Sequence, residues 1–387
     1  MERAENNLSR IAYFGIAGLC SLFVAVGLCR FSYTPLVPAM IQQGWLTKVS
    51  ASYLGTIHFL GYLLGALSAH RITKYIPAHR LLRWSFLLSV AGLGMCSVNW
   101  GFAWLSVGRL TVGATGAILT IITPSVVWRH VPSIYKTRVM GIVISGVSFG
   151  VITSGLLLPF LVQISLLVAW LGSAFIALLA TIIAWSAFSD REATVEVGIP
   201  LSSPTKINHR AVTLVCIAYG IGCIGFIAFS IFLSDYVHQQ LHLSILASGL
   251  FLGIFGLGGL VGSYASGWIA DKTSPHHVLV ASFGVTFITI GTLLIHPYFY
   301  LYILTTFLMG SCIQSVVTLT STRMLELGGA ENHTLLWGRA TLSFSIAQFV
   351  SAYVMSLLLA HGADYRDCFV LADVTALMAM VMVFYAK

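Results

Sequence analysis

Twelve long apolar stretches, six before and six after a polar connector at residues 190–210, constrain this chain more than any other feature. A helix needs about 20 apolar residues to cross the roughly 30 Å hydrocarbon layer of a bilayer, and only helices or closed barrels satisfy every backbone polar group there. The stretches are continuous and lack period-two alternation, which selects helices over a barrel. They predict spans at 11–41, 50–70, 80–98, 101–127, 138–163, 165–188, 211–237, 244–270, 276–295, 298–325, 335–360 and 366–386. With 58% hydrophobic and 8% charged residues over 387 positions, no soluble core could bury so much apolar surface. The expected fold is an all-α membrane protein with twelve transmembrane helices in two six-helix bundles, 1–189 and 211–387, joined by a cytoplasmic linker.

The formal charge of +8 suggests nucleic acid only until the loops are sorted by side of the membrane. With the N-terminus inside, sixteen of the twenty Lys and Arg fall at cytoplasmic ends, and Lys48 and Arg366 alone fall outside. That bias predicts both termini in the cytoplasm and accounts for the basic balance with no nucleic-acid partner. The first stretch is too long for a signal-peptide core, so it is expected to remain as a helix. The seven cysteines lie in or beside helices with no C-x-x-C pair and no His cluster at metal spacing, so no metal or other cofactor is expected. No phosphate loop of the G-x-x-x-x-G-K-[ST] type and no nucleophilic set occurs, so neither ATP drive nor an enzyme is expected.

Specific motifs carry a resemblance. Residues 267–276 read GWIADKTSPH, similar to the loop signature G-x-L-A-D-R-x-G-R-R of major facilitator superfamily transporters. The place after helix 2 reads ALSAHRITK over 66–74, a degraded copy with His70 where the acid belongs. Residues 109–116, RLTVGATG, are similar to the superfamily's R-x-x-x-G-x-G pattern, with the second glycine one residue late. Helix 5 carries Gly141, Gly146, Gly150, Gly155 and Pro159, a loose version of its glycine-rich motif. The run GLCRFSYTPLVP over 27–38 resembles the YbfB/YjiJ-type branch of bacterial inner-membrane members. The resemblance implies a working monomer with a central cavity opened alternately to each side. It also gives conformational roles to His70, Arg71, Lys74, Asp271 and Lys272 at the cytoplasmic face.

Arg30 and Arg109 are the residues best placed to bind a guest. A charge near the centre of a spanning helix costs at least about 2.5–3.5 kcal/mol and persists only facing a cavity or a partner. Both sit in the outer half of their helices at similar depth, and Pro35 and Pro38 should kink helix 1 just beyond Arg30. Tyr33 lies between them in the same run. Guanidinium suits carboxylate or phosphate, so two of them imply an anionic guest or a buried acid. The alternative is a structural arginine bonded to a neighbouring helix's carbonyls. No Asp or Glu occurs from residue 6 to residue 189, which favours the anion.

Gln314, Gln348, Tyr219 and Phe226 give the second half an uncharged polar and aromatic wall, suited to a guest with one charged and one apolar end; plain helix packing is the alternative. His58, Asp373 and Asp235 are candidates for proton coupling, each with a structural reading beside it: a satisfied core histidine, a bond to a neighbouring helix, a solvent-exposed helix end. The function expected is secondary active transport of a small organic anion or zwitterion across the bacterial inner membrane, with proton coupling. Efflux of lipophilic drugs and a non-transporting membrane sensor are the alternatives.

Overall fold

Runs of Leu, Ile, Val, Ala and Gly become helices because, in hydrocarbon, each backbone donor must find its acceptor within its own segment. The computed structural model describes residues 2–132, 135–188, 207–295 and 298–386, so most of the expected linker at 190–210 lies outside the described residues. The first half contains α1 (Ile11–Gln42, continuous with helix from Glu2), α2 (Lys48–Ile72), α3 (Ala78–Met95), α4 (Phe102–His130), α5 (Lys136–Ile164) and α6 (Leu166–Trp185). The second contains α7 (His209–Leu241), α8 (Ile245–Lys272), α9 (Pro275–Ile295), α10 (Phe299–Gly329), α11 (Leu335–Ala360) and α12 (Tyr365–Phe384). All of these except α2 and α3 are long and apolar enough to be spans by composition alone. The all-helical fold expected from the sequence is present, with no strand among the described residues.

Polar residues at the helix ends do the capping. Ser165, Asn208 and Ser244 accept hydrogen bonds from the N–H groups of Val168, Ala211 and Ala247, and Asp364 with Asp367 forms a capping box at α12. One expected loop is not a loop. Residues 326–334 are helical, and α10 meets α11 at Gly329, whose φ of 71° only glycine adopts without strain.

By contacts the chain divides into two units, Met1–Leu46 with Ile57–Gly198, and Thr47–Thr56 with Ile199–Lys387. The start of α2 therefore groups with the second half, which the sequence did not suggest. Within the second unit Lys48 Nζ lies 3.2 Å from the Asp364 carboxylate and 4.0 Å from the centre of the Tyr365 ring. Thr56 and Ser356 share a hydrogen bond of 2.9 Å.

The two halves repeat in register. Helices begin 197 residues apart at Lys48 and Ile245, at Ala78 and Pro275, and at Phe102 and Phe299. Packing contacts keep the same spacing. In the first unit Gly61 and Gly65 of α2 press on the carbonyls of Leu110 and Ala114, and Gly113 of α4 on that of His58. In the second unit Gly258 and Gly262 of α8 press on Phe307 and Ser311, and Gly310 of α10 on Phe255. Each pair differs by 197, and a Cβ at any of these glycines would strike backbone, so close helix contact selects the residue. This register equates Asp271 with Lys74 and Gly267 with His70. It corrects the pairing of Asp271 with His70 by one helical turn, because α8 continues past the place where α2 ends.

Candidate functional site

The break in α1 builds the site. Proline has no N–H and disfavours helix in the residue before it, so Pro35 and Pro38 leave the helix unable to run straight through. The path is π-helical over Phe23–Leu28, α-helical over Cys29–Phe31, turns at Ser32 and Tyr33, and resumes as a 3₁₀ turn over Thr34–Leu36 before Val37–Gln42. The expected kink is thus present, and it begins before Arg30 rather than beyond it. Gly27 lies against Gly150 of α5 backbone to backbone, and Ser154 Oγ donates to the Gly27 carbonyl over 3.2 Å.

Arg30 occupies the short α segment and is 8% exposed. Its guanidinium carbon lies 4.7 Å from the centre of the Phe59 ring and 5.3 Å from that of Phe31. Arg109 of α4 is 2% exposed. Its Nη1 donates to the Cys29 carbonyl over 2.9 Å, and its guanidinium carbon stands 4.6 Å over the Tyr33 ring. The geometry of Arg109 is that of an arginine bonded to a neighbouring helix's carbonyl, the alternative weighed above. His58 of α2 is 1% exposed and lies beside Arg109 and Arg30, close enough to both guanidiniums to feel their charge. Its Nδ1 has no hydrogen-bond partner among the described residues.

Arg30, Arg109, His58 and Tyr33 therefore come together within the first unit. Phe59, Cys29 and Tyr62 join them and were not singled out from the sequence. Tyr62 lies near Thr120 of α4 and near Arg30. It stands four residues from His58, on the same face of α2, which is the signal that could have found it.

Countercharge is missing from this cluster and engaged elsewhere. The first unit has no carboxylate between Glu5 and Asp190. In the second unit Asp235, 3% exposed, accepts from the Tyr365 hydroxyl over 2.6 Å and from Gln239 Nε2 over 2.8 Å. Asp235 is thus buried and bonded, not solvent-exposed at a helix end. Asp364 pairs with Lys48, Glu326 with Arg323, and Asp367 with the N–H of Asp364. Asp373 faces Gly291 of α9, and its Oδ1 has no hydrogen-bond partner among the described residues.

In the second unit the aromatic candidates are packed on one another. Tyr219 stacks on Phe344 at 4.6 Å between ring centres, and Phe226 lies 6.3 Å from Phe344 and 6.2 Å from Phe255. Gln314 and Gln348 are buried on α10 and α11, Gln348 one turn beyond Phe344. At the loop motifs Arg71, Lys74, Asp271 and Lys272 are exposed, with the Lys272 ammonium 3.6 Å from the centre of the Trp268 ring. The side chain of His70 lies outside the described residues.

Comparison with known proteins follows the same line. The family described as "Uncharacterised MFS-type transporter YbfB" matches residues 22–384. The uncharacterized MFS-type transporter YceJ of Bacillus subtilis is 21% identical over 67% of this chain and 68% of its own length. A putative metabolite transport protein of Haemophilus influenzae is 25% identical over 61% of this chain and 60% of its own. Among solved structures, a bacterial homolog of the human lysosomal transporter Spinster, inward-facing and unoccupied, superposes with a TM-score of 0.70, 12% identity and 97% coverage of both chains. The occupied form gives the same score over 96% of both chains. At that identity the likeness concerns the fold.

Proposed function

This chain belongs to the YbfB-type family of major facilitator transporters, and from that premise we propose that it moves a small organic anion or zwitterion across the bacterial inner membrane by alternating access. The observation that carries the reading is the buried pair Arg30 and Arg109 in a stretch, residues 6 to 189, that contains no Asp or Glu. Charge in hydrocarbon is expensive, and a carboxylate or phosphate on the guest would bring an opposite charge that residues 6 to 189 do not supply. Coupling to protons completes the proposal, with His58 and Asp235 as the carriers. The bias of Lys and Arg among the loops supports a topology with both termini in the cytoplasm.

The test is a thermal-shift screen of purified protein against compounds sorted by charge, run beside Arg30→Ile. Stabilisation by anions that disappears in the variant is the expected result. Stabilisation by cations or neutral lipophiles that the variant retains would replace this reading with lipophile efflux, for which the aromatic stack alone would suffice.

A further inference from the structure

We infer that the end of the first unit where α3 begins and α6 finishes is a binding site for an anionic phospholipid, with Arg80 and Arg83 taking the headgroup phosphate and Trp84 and Trp185 flanking it. The inference is independent of the guest proposed for Arg30.

Charge comes first. Four cations, Arg71, Lys74, Arg80 and Arg83, fall at the end of α2 and the start of α3, and no Asp or Glu occurs between residues 6 and 189. Arg71, Lys74 and Arg80 are exposed. Basic side chains at helix ends near the membrane surface attract anionic headgroups, each adding to the others. The second unit lacks this set. Its counterparts, 197 residues on, are Trp268, Asp271, His277 and Val280, and the nearest cation, Lys272, adjoins Asp271.

Arg83 is held in place with part of its fork unspent. Its Nε and Nη2 both donate to the Trp185 carbonyl, over 3.3 and 3.1 Å, and its guanidinium carbon lies 4.8 Å from the centre of the Trp185 ring. That carbonyl ends α6, where backbone acceptors have no helical donor. One edge of the guanidinium therefore fixes its plane, and Nη1, which makes no hydrogen bond among the described residues, remains for an oxyanion. Three residues further along each segment the buried rings of Phe86 and Phe188 pack with centres 6.2 Å apart and tie the two together.

Apolar side chains continue the site in the order a lipid requires. On α3, Arg80, Trp84 and Leu88 recur at every fourth position, on one face and about 6 Å apart along the axis. Trp84 is 61% exposed and Leu88 47%. On α6, Ile182 and Ile183 are exposed just before Trp185. A charge, an interfacial tryptophan and an aliphatic side chain thus succeed one another from the helix end inwards, matching phosphate, glycerol and acyl chain. A soluble anion has no use for the last two. In the second unit Ala281 takes the place of Trp84.

Native mass spectrometry of the detergent-purified full chain, titrated with phosphatidylglycerol or phosphatidylcholine, gives the dissociation constant of the first lipid bound. The parent is expected to hold phosphatidylglycerol about tenfold tighter than phosphatidylcholine, and the Arg80→Gln, Arg83→Gln double variant to lose that preference. The Arg210→Gln, Arg339→Gln double variant removes as much charge from exposed positions of the second unit and should change binding by less than about twofold. Should the first double variant fail to fold, Arg80→Gln alone replaces it, with an expected loss of about threefold. Equal binding of the two lipids by the parent would overturn the inference, as would equal losses from the two double variants. Glycerol phosphate displacing phosphatidylglycerol at equal concentration would reveal a free-phosphate site and overturn it too. Asp190→Asn with Glu192→Gln removes the acids that follow α6 in sequence and should leave lipid binding within about twofold. A gain of about tenfold there would show that those acids, and not lipid, occupy Arg83, and would overturn it as well.

Discussion

The two units are built on one packing plan and carry different chemistry. Both lock their second and fourth helices through the same three glycines, Gly61, Gly65 and Gly113 in one, Gly258, Gly262 and Gly310 in the other. At the positions where the first unit has Arg30, His58 and Arg109, the second has Ile227, Phe255 and Thr306. Scaffold and function therefore occupy separate sets of positions. Close helix contact restrains the glycines in both halves, while the cationic set belongs to one. The second unit puts rings in the corresponding region and keeps its buried acid, Asp235, bonded to Tyr365 and Gln239.

Exchanging each first-unit residue for its counterpart breaks this comparison in graded steps. Arg30→Ile should have the largest effect, about a hundredfold loss of affinity for a stabilising anion, since a charge-assisted contact to a buried oxyanion contributes about 1.5–3 kcal/mol. Thermal stability should hold or rise, because the variant no longer buries a charge. An Arg30→Ile protein that binds anions as the parent does would place recognition elsewhere.

Next come the shared glycines. Gly113→Val and Gly310→Val should each lower stability by about 1–3 kcal/mol, and by similar amounts, because both drive a side chain into facing backbone. Melting temperatures in detergent measure this, and a loss confined to one variant would contradict the common plan. His58→Phe should fold normally and reduce anion affinity by about fivefold, through loss of the imidazole that lies beside Arg109 and Arg30. Titration of the variant with the same anion reads that change. Smallest of all, Asp373→Asn should leave transport within about twofold of the parent, since the amide keeps the size and shape of the side chain that faces Gly291. Loss of proton-dependent flux in Asp373→Asn would return that residue to the coupling mechanism.

How legible all this was in the sequence depends on what each feature is made of. The spans were legible because hydropathy is a property of single segments. Arg30 was legible because a lone charge in an apolar run needs no partner to be noticed. The partner of Arg109 was not, since it is a main-chain carbonyl and every residue has one. Nor was the π-helical start of the break at Phe23–Leu28, upstream of the two prolines. The bond from Tyr365 to Asp235 joins residues 130 apart, and no local pattern marks it. Register between the halves escaped the loop motifs because α8 outruns α2, and became plain once glycine contacts could be paired. That Asp373 faces Gly291 of α9 was not legible, because sequence gives the depth of a residue in a helix but not the side it faces.

The claim that an arginine of the first unit recognises an anionic guest is tested most directly by counterflow in proteoliposomes. The anion that stabilises the purified protein is loaded inside, the labelled anion is supplied outside, and exchange is followed for the parent, Arg30→Lys and Arg30→Ile. The account predicts rapid exchange in the parent, slower exchange in Arg30→Lys and none above empty vesicles in Arg30→Ile. Exchange by Arg30→Ile at the parent rate would contradict it.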